Sequence, residues 1–136
     1  MPNAVLLPPA IALPEELALA LATGSPLVVM VSLEGCPFCK IVRESYLAPM
    51  RQEQGLPVVQ VDMRSQRGVK NFNGLATMHE ALIAGWRVEL APTVLFFGRR
   101  GVEVAQRLVG GYIPDFYGAY LEQRLEAARR AMGKAA

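Results

Sequence analysis

The chain holds two cysteines, and both sit in one short string, Gly35-Cys36-Pro37-Phe38-Cys39-Lys40. An apolar run over residues 27–33 precedes the string, and a segment that reads as helix, 36–50, begins within it. A Cys-x-x-Cys pair at a strand–helix junction is the layout of a dithiol that cycles between two thiols and a disulfide. The expected chemistry is thiol–disulfide exchange. At a helix start, Cys36 meets unpaired backbone N–H groups, from about Phe38 and Cys39, and the positive end of the helix dipole. Both favour the thiolate, which is the attacking species, so its pKa is expected below the free value of about 8.5. Cys39 lies one turn further on and is expected to be more buried. From there it can attack the Cys36 sulfur and resolve a mixed disulfide. Pro37 suits the first helical turn, where its missing N–H costs nothing, and it stiffens the site.

The bulk properties narrow the class of protein. With 136 residues the chain is long enough for one domain with a real core, and residues 1–136 are read as a single domain. Fourteen basic and twelve acidic side chains leave a net charge of +2, too weak to argue for nucleic acid or an anionic membrane. Two cysteines cannot build a disulfide-stapled mini-fold or a four-cysteine zinc site. His79, the single histidine, cannot complete a two-Cys, two-His site either. No metal is expected. No stretch approaches about 18 uninterrupted apolar residues, so no membrane span is visible. The N-terminus shows no intact signal peptide.

Several elements must position the dithiol. Residues 1–13 are apolar but broken by Pro8 and Pro9, and read as an extended arm or edge strand. Leu13-Pro14-Glu15-Glu16 opens a helix, with proline in its first turn and acids at its positive end; Gly24 ends it. Residues 27–33 lack polar alternation, as in a strand buried on both faces. The cysteine helix is expected to stop near Ala48, before Pro49. Residues 58–62 form a second strand. The polar stretch 64–74 reads mainly as a loop, and 77–84 as a short helix. Residues 93–97 form a third strand, which turns at 98–101 and returns as a hairpin arm over 102–109. A last helix runs over about 115–131, with Phe116, Tyr120, Leu121 and Leu125 assigned to one face. This order implies a mixed sheet with helices on both faces.

The order of elements, with Cys36-Pro37-Phe38-Cys39 at the first strand–helix junction, resembles the thioredoxin fold superfamily. Glu89-Leu90-Ala91-Pro92-Thr93 precedes a strand, where that superfamily carries a cis-proline facing the dithiol. Arg107-Leu108-Val109-Gly110-Gly111 looks like the glycine after its last strand. The chain is most similar to bacterial thioredoxin-like proteins with a Gly-Cys-Pro-x-Cys-Lys site, a Pro-Thr strand and a Gly-Tyr pair, here Gly111-Tyr112. The resemblance implies an α/β thioredoxin fold: a central mixed sheet flanked by helices, with an extra helix at the N-terminus. It implies a thiol–disulfide oxidoreductase with no cofactor beyond its redox-active disulfide. That group is commonly exported, so a periplasmic protein whose leader has been removed is expected, with the cytoplasm left open.

The resemblance also assigns roles. Cys36 is the expected nucleophile and Cys39 the resolver; Pro37, Phe38 and Pro92 shape the site. A cis Pro92 sets the backbone of Ala91 beside the dithiol, where the two residues would bind an extended substrate peptide by strand addition. Many thioredoxins carry a buried Asp six residues before the first cysteine; here Met30 stands there. Either Glu34 or water takes its role or proton transfer is slower. Lys40, beside Cys39, is the other candidate to assist, by lowering the thiol pKa, with a solvated surface group as the alternative reading of both side chains. Phe38 supplies no charge to hold the thiolate, so the potential is expected between the superfamily's extremes, about −270 to −120 mV. The first reading is a reductase of disulfides in partner proteins, fed by an upstream redox partner. An oxidant or isomerase is the alternative within the class. A copper(I)- or partner-binding module is the rival outside it, since soft thiolates select copper(I). His79 is expected to be a surface or core histidine, and Trp86 to pack near the Pro92 loop.

Overall fold

In a computed structural model, which describes residues 6–110 and 114–134, the apolar run becomes the central strand β1 (Leu27–Ser32), buried at every position. It pairs in parallel with β2 (Val58–Asp62), Val28 opposite Val58, and antiparallel with β5 (Thr93–Phe97), Leu27 opposite Phe97. A short β6 (Leu108–Val109) continues the antiparallel side, giving the order β2-β1-β5-β6. Because side chains alternate along a strand, β1 feeds two cores. Val28 and Met30 point to one face, with Cys39, Val42, Leu47, Tyr117, Leu121 and Leu125. Leu27, Val29 and Val31 point to the other, with Leu13, Leu17, Leu82 and Ile83. Helices α1 (Leu13–Ala22) and α4 (His79–Gly85) cover that second face. The first lies under α2 (Pro37–Ile41), its continuation and α5 (Pro114–Lys134). This is the thioredoxin arrangement, with its extra N-terminal helix.

The arm before α1 is an added edge. Ala10 N–H donates to Gln60 O and Gln60 N–H to Pro8 O, both at 2.9 Å, so the arm runs along β2. His79 pins it. The imidazole is fully buried; its Nδ1 accepts from Asp62 N–H at 3.1 Å, which leaves Nε2 to donate to Ala10 O at 2.9 Å. The histidine is therefore a core residue joining α4, β2 and the arm.

Five expectations need correction. The cysteine helix does not stop at Ala48: a π-helical turn (Val42–Leu47) leads into α3 (Ala48–Gln54), which ends at Gly55 in the left-handed region, φ 70°. Pro49 is tolerated because Ala48 N–H reaches back five residues to Arg43 O. This widened turn falls where the proline ring and its missing donor would break a regular ladder. The stretch 64–74 is not mainly loop. It holds β3 (Gly68–Lys70), which pairs with β4 (Ala76–Met78). Asn71 closes this hairpin by accepting from the Asn73 and Leu75 amides, and only Val69 of β3 is buried, so composition reads as loop. The short helix begins at His79 rather than 77. The return arm over 102–109 is strand only at β6, beyond an isolated bridge from Glu103 to Phe97. Finally, α5 buries Tyr117, Leu121, Leu125 and Ala128, while Phe116 and Tyr120 are 60% and 37% exposed. The 3.6-residue stripe runs one position away from the two aromatics. Residues 1–5 of the arm and the Gly111-Tyr112 pair lie outside the described residues.

Candidate active site

The dithiol sits where β1 hands over to α2. Gly35 makes the turn with φ 80°, a conformation that side chains other than glycine's resist. Cys36 then takes the N-cap position, with extended backbone, and Pro37 starts the helix. The two cysteines are joined as a disulfide, with Cα atoms 5.2 Å apart. Cys36 is half-buried, whereas Cys39 is 1% exposed and belongs to the first core with Met30. Of the two amides expected at the Cys36 sulfur, the structure brings that of Cys39, whose N–H donates at 3.1 Å. A helix-start sulfur with such a donor is favoured as thiolate once the disulfide opens.

The Pro92 segment closes the site from the β5 side. The Ala91–Pro92 peptide bond is cis. Ala91 O lies 3.8 Å from Cys36 Sγ. Two contacts hold this loop: Thr93 Oγ1 donates to Leu90 O, and Gly110 N–H donates to Pro92 O at 2.7 Å. Gly110 thus ties the end of β6 to the proline, and its own φ is 80°. Phe38 is 48% exposed beside the disulfide, and Leu90 is 51% exposed next to Ala91.

Other expected residues fall elsewhere. Glu34 and Lys40 are exposed and line an open groove with Cys36, but neither hydrogen-bonds to a cysteine among the described residues. Met30 is fully buried, so the position beneath Cys39 carries a thioether and no carboxylate. Trp86 stacks against Phe97 and Phe72, centroids 5.2 and 6.5 Å away, within the second core. It is a packing residue on the opposite face of the sheet from Cys39. Arg107 instead touches its carbonyl, at 2.8 Å. One polar chain at the site has no counterpart in the sequence patterns. Arg43 Nη1 donates to Ser32 Oγ at 3.3 Å and Gln60 Oε1 at 3.4 Å, and Gln60 Nε2 donates to Asp62 Oδ1 at 2.7 Å. These residues belong to three elements, so no spacing signals them. Among the described residues no cluster of three or more His, Cys, Asp or Glu could hold a metal, and no helix is long and apolar enough to cross a membrane.

Comparison with known proteins agrees with this geometry. Thioredoxin O2 of Arabidopsis thaliana superposes with a TM-score of 0.55 at 18% identity, covering 85% of this chain and 93% of that one. A poplar thioredoxin h gives 0.54 at 21%, covering 80% and 85%. Mitochondrial thioredoxin 3 of Saccharomyces cerevisiae gives 0.57 at 15%, covering 91% and 97%. At such identities the shared property is the fold. No curated protein matches the chain in sequence. The model of the thioredoxin-like domain, however, matches residues 13–125. Spanning α1 to the middle of α5, that match means the chain belongs to the thioredoxin-like domain family.

Proposed function

We propose that the protein is a thiol–disulfide oxidoreductase that reduces disulfides in partner proteins. The observation that carries this is the asymmetry of the pair: a half-buried Cys36 sulfur with a backbone N–H aimed at it, bonded to a buried Cys39. In the reduced protein the Cys36 thiolate attacks one sulfur of the substrate disulfide. That bond breaks, a Cys36–substrate disulfide forms, and the other substrate sulfur leaves as thiolate. Cys39, deprotonated, then attacks Cys36 Sγ and displaces the second substrate thiolate. Two electrons pass to the substrate, whose thiolates take up protons from Cys39 and water. Ala91 and Pro92 offer backbone beside Cys36 for an extended substrate chain. Glu34 and Lys40, in the groove with Cys36, are the groups nearest in sequence to relay a proton through solvent.

The reducing direction is supported by what surrounds the sulfur. A strong oxidant is one whose reduced thiolate is heavily stabilised. Here the sulfur receives one backbone N–H among the described residues, and the intervening Pro37 and Phe38 carry no charge. An upstream donor is required to regenerate the dithiol. A place of action outside the cytoplasm is proposed on the family resemblance alone. The test is insulin reduction with dithiothreitol as donor, together with the potential of the pair in glutathione or dithiothreitol buffers. Turnover that disappears in Cys36→Ser, with a potential nearer about −270 than −120 mV, is expected. A potential at the oxidising end would reverse the direction, and turnover that survives in Cys36→Ser would end the reading.

A further inference from the structure

A groove of about 1060 Å³ opens beside the disulfide; its wall includes Cys36 and Pro37 but neither Ala91 nor Pro92. It therefore lies apart from the backbone segment assigned above to substrate pairing. Its floor is the Arg43 chain. Arg43 is half-buried, yet its guanidinium makes only two long hydrogen bonds, both through Nη1 and both to neutral oxygens. Nε and Nη2 have no protein partner among the described residues, and no ion pair there involves Arg43. A guanidinium offers five donors in a planar fork that fits a carboxylate, and leaving it unpaired in a half-buried place is unfavourable. Lys40, one helical turn earlier, and Arg64, on the turn after β2, line the same groove, both exposed and without side-chain partners among the described residues. Glu34 and Asp62 oppose these three cations, Asp62 Oδ1 accepting from the neutral Gln60 amide, so the groove keeps one positive charge in excess. The free balance favours an anion.

We infer that this groove is a specificity subsite for an acidic side chain flanking the reacting cysteine of a partner protein. An extended chain advances about 3.3 Å per residue. A substrate that pairs with Ala91 on one side of Cys36 crosses the sulfur and enters the groove on the other, two or three residues from its cysteine. Arg43 receives the carboxylate, positioned by Ser32 and Gln60, with Arg64 and Lys40 at the rim. This inference rests on the oxidoreductase reading and names its substrate.

The experiment compares peptides whose single cysteine is disulfide-linked to a neutral reporter thiol, with Glu, Gln or Lys two and three residues away on either side. For the native protein kcat/KM is expected about five- to tenfold higher for Glu than for Gln on one of the two sides, the advantage shrinking as salt rises. The Glu-to-Gln ratio should fall towards one in Arg43→Gln. Arg64→Gln, at an exposed position, should lower it partway. Equal rates for the three peptides, a preference for Lys, or a ratio unchanged in both variants would overturn the subsite. So would indifference to the peptide flank combined with a preference for a small carboxylate-bearing disulfide over its amide, which would put a small thiol in the groove. If no peptide is turned over, the oxidoreductase reading fails separately. The subsite is then scored from the mixed-disulfide equilibrium of the Cys39→Ser protein, where Glu should still exceed Gln.

Discussion

At Cys36 the reactivity is set by backbone more than by side chains. The sulfur caps α2 and receives the Cys39 N–H at 3.1 Å, and the same turn buries Cys39 against Met30. One neutral donor and a short helix give a moderate bias toward thiolate. Iodoacetamide alkylation of the reduced protein followed against pH should therefore show a midpoint for Cys36 below about 8.5. Cys39 should alkylate far more slowly throughout. A Cys36 midpoint at or above the free value would mean that the N-cap geometry does not survive reduction. Cys39→Ser should accumulate the mixed disulfide with substrate, visible as a mass adduct that dithiothreitol removes, because the group that displaces the substrate is then absent. An adduct that clears without added thiol would assign resolution to something other than Cys39.

Among the elements, the N-terminal arm is pinned to the sheet by one side chain in addition to its backbone bonds to β2. His79 holds Asp62 N–H and Ala10 O at once, and Asp62 lines the groove beside the dithiol. His79→Phe keeps an aromatic ring of similar breadth but leaves both backbone groups without their partner. The expected cost is about 2–4 kcal/mol in denaturant unfolding, with faster amide exchange at Ala10 and Gln60 than elsewhere in the sheet. Unchanged exchange at these two amides would show that the arm is held without His79, by its backbone hydrogen bonds to β2 and the packing of Leu7 and Ala10. The π-helical turn belongs to this scale too: it lets one helix pass Pro49, so the cysteine-bearing end and the Met50 end stay in register over the same core.

For the whole molecule, stability at alkaline pH has a traceable source. Tyr117 on α5 is 4% exposed, packs against Tyr46 with centroids 5.4 Å apart, and has no hydrogen-bond partner for its hydroxyl among the described residues. Burial first, and the neighbouring Tyr46 second, push its pKa well above the ordinary tyrosine value. The folded state therefore keeps a proton that the unfolded chain releases above about pH 10. The contribution is neutral below that pH and becomes a loss of folding stability as pH rises beyond it. Tyr117→Phe removes the orphan hydroxyl, so it is expected to be as stable as the native protein at pH 7, or about 1 kcal/mol more so. Its advantage should widen between pH 9 and 11; a constant gap would mean that the phenol reaches solvent.

The dithiol, the central strand and the proline before β5 were legible in the chain because each is a local pattern. Two cysteines flank a proline at a helix start, an unbroken apolar run fits a strand buried on both faces, and Pro-Thr precedes a β-rich segment. Local patterns failed where partners come from distant segments. The β3/β4 hairpin buries one side chain on β3, so its alternation carried no signal. The helix passes Pro49 because a backbone turn widens, which no residue type announces. On α5, Phe116 and Tyr120 are as apolar as the residues actually buried, and only packing against the first core chose Tyr117 and Leu121. The joining of Arg43, Ser32, Gln60 and Asp62 beside Cys36, and of His79 to the arm, was decided by tertiary structure alone. Hydrogen bonds between elements depend on where the sheet brings the chain together, and spacing along a sequence holds no record of that.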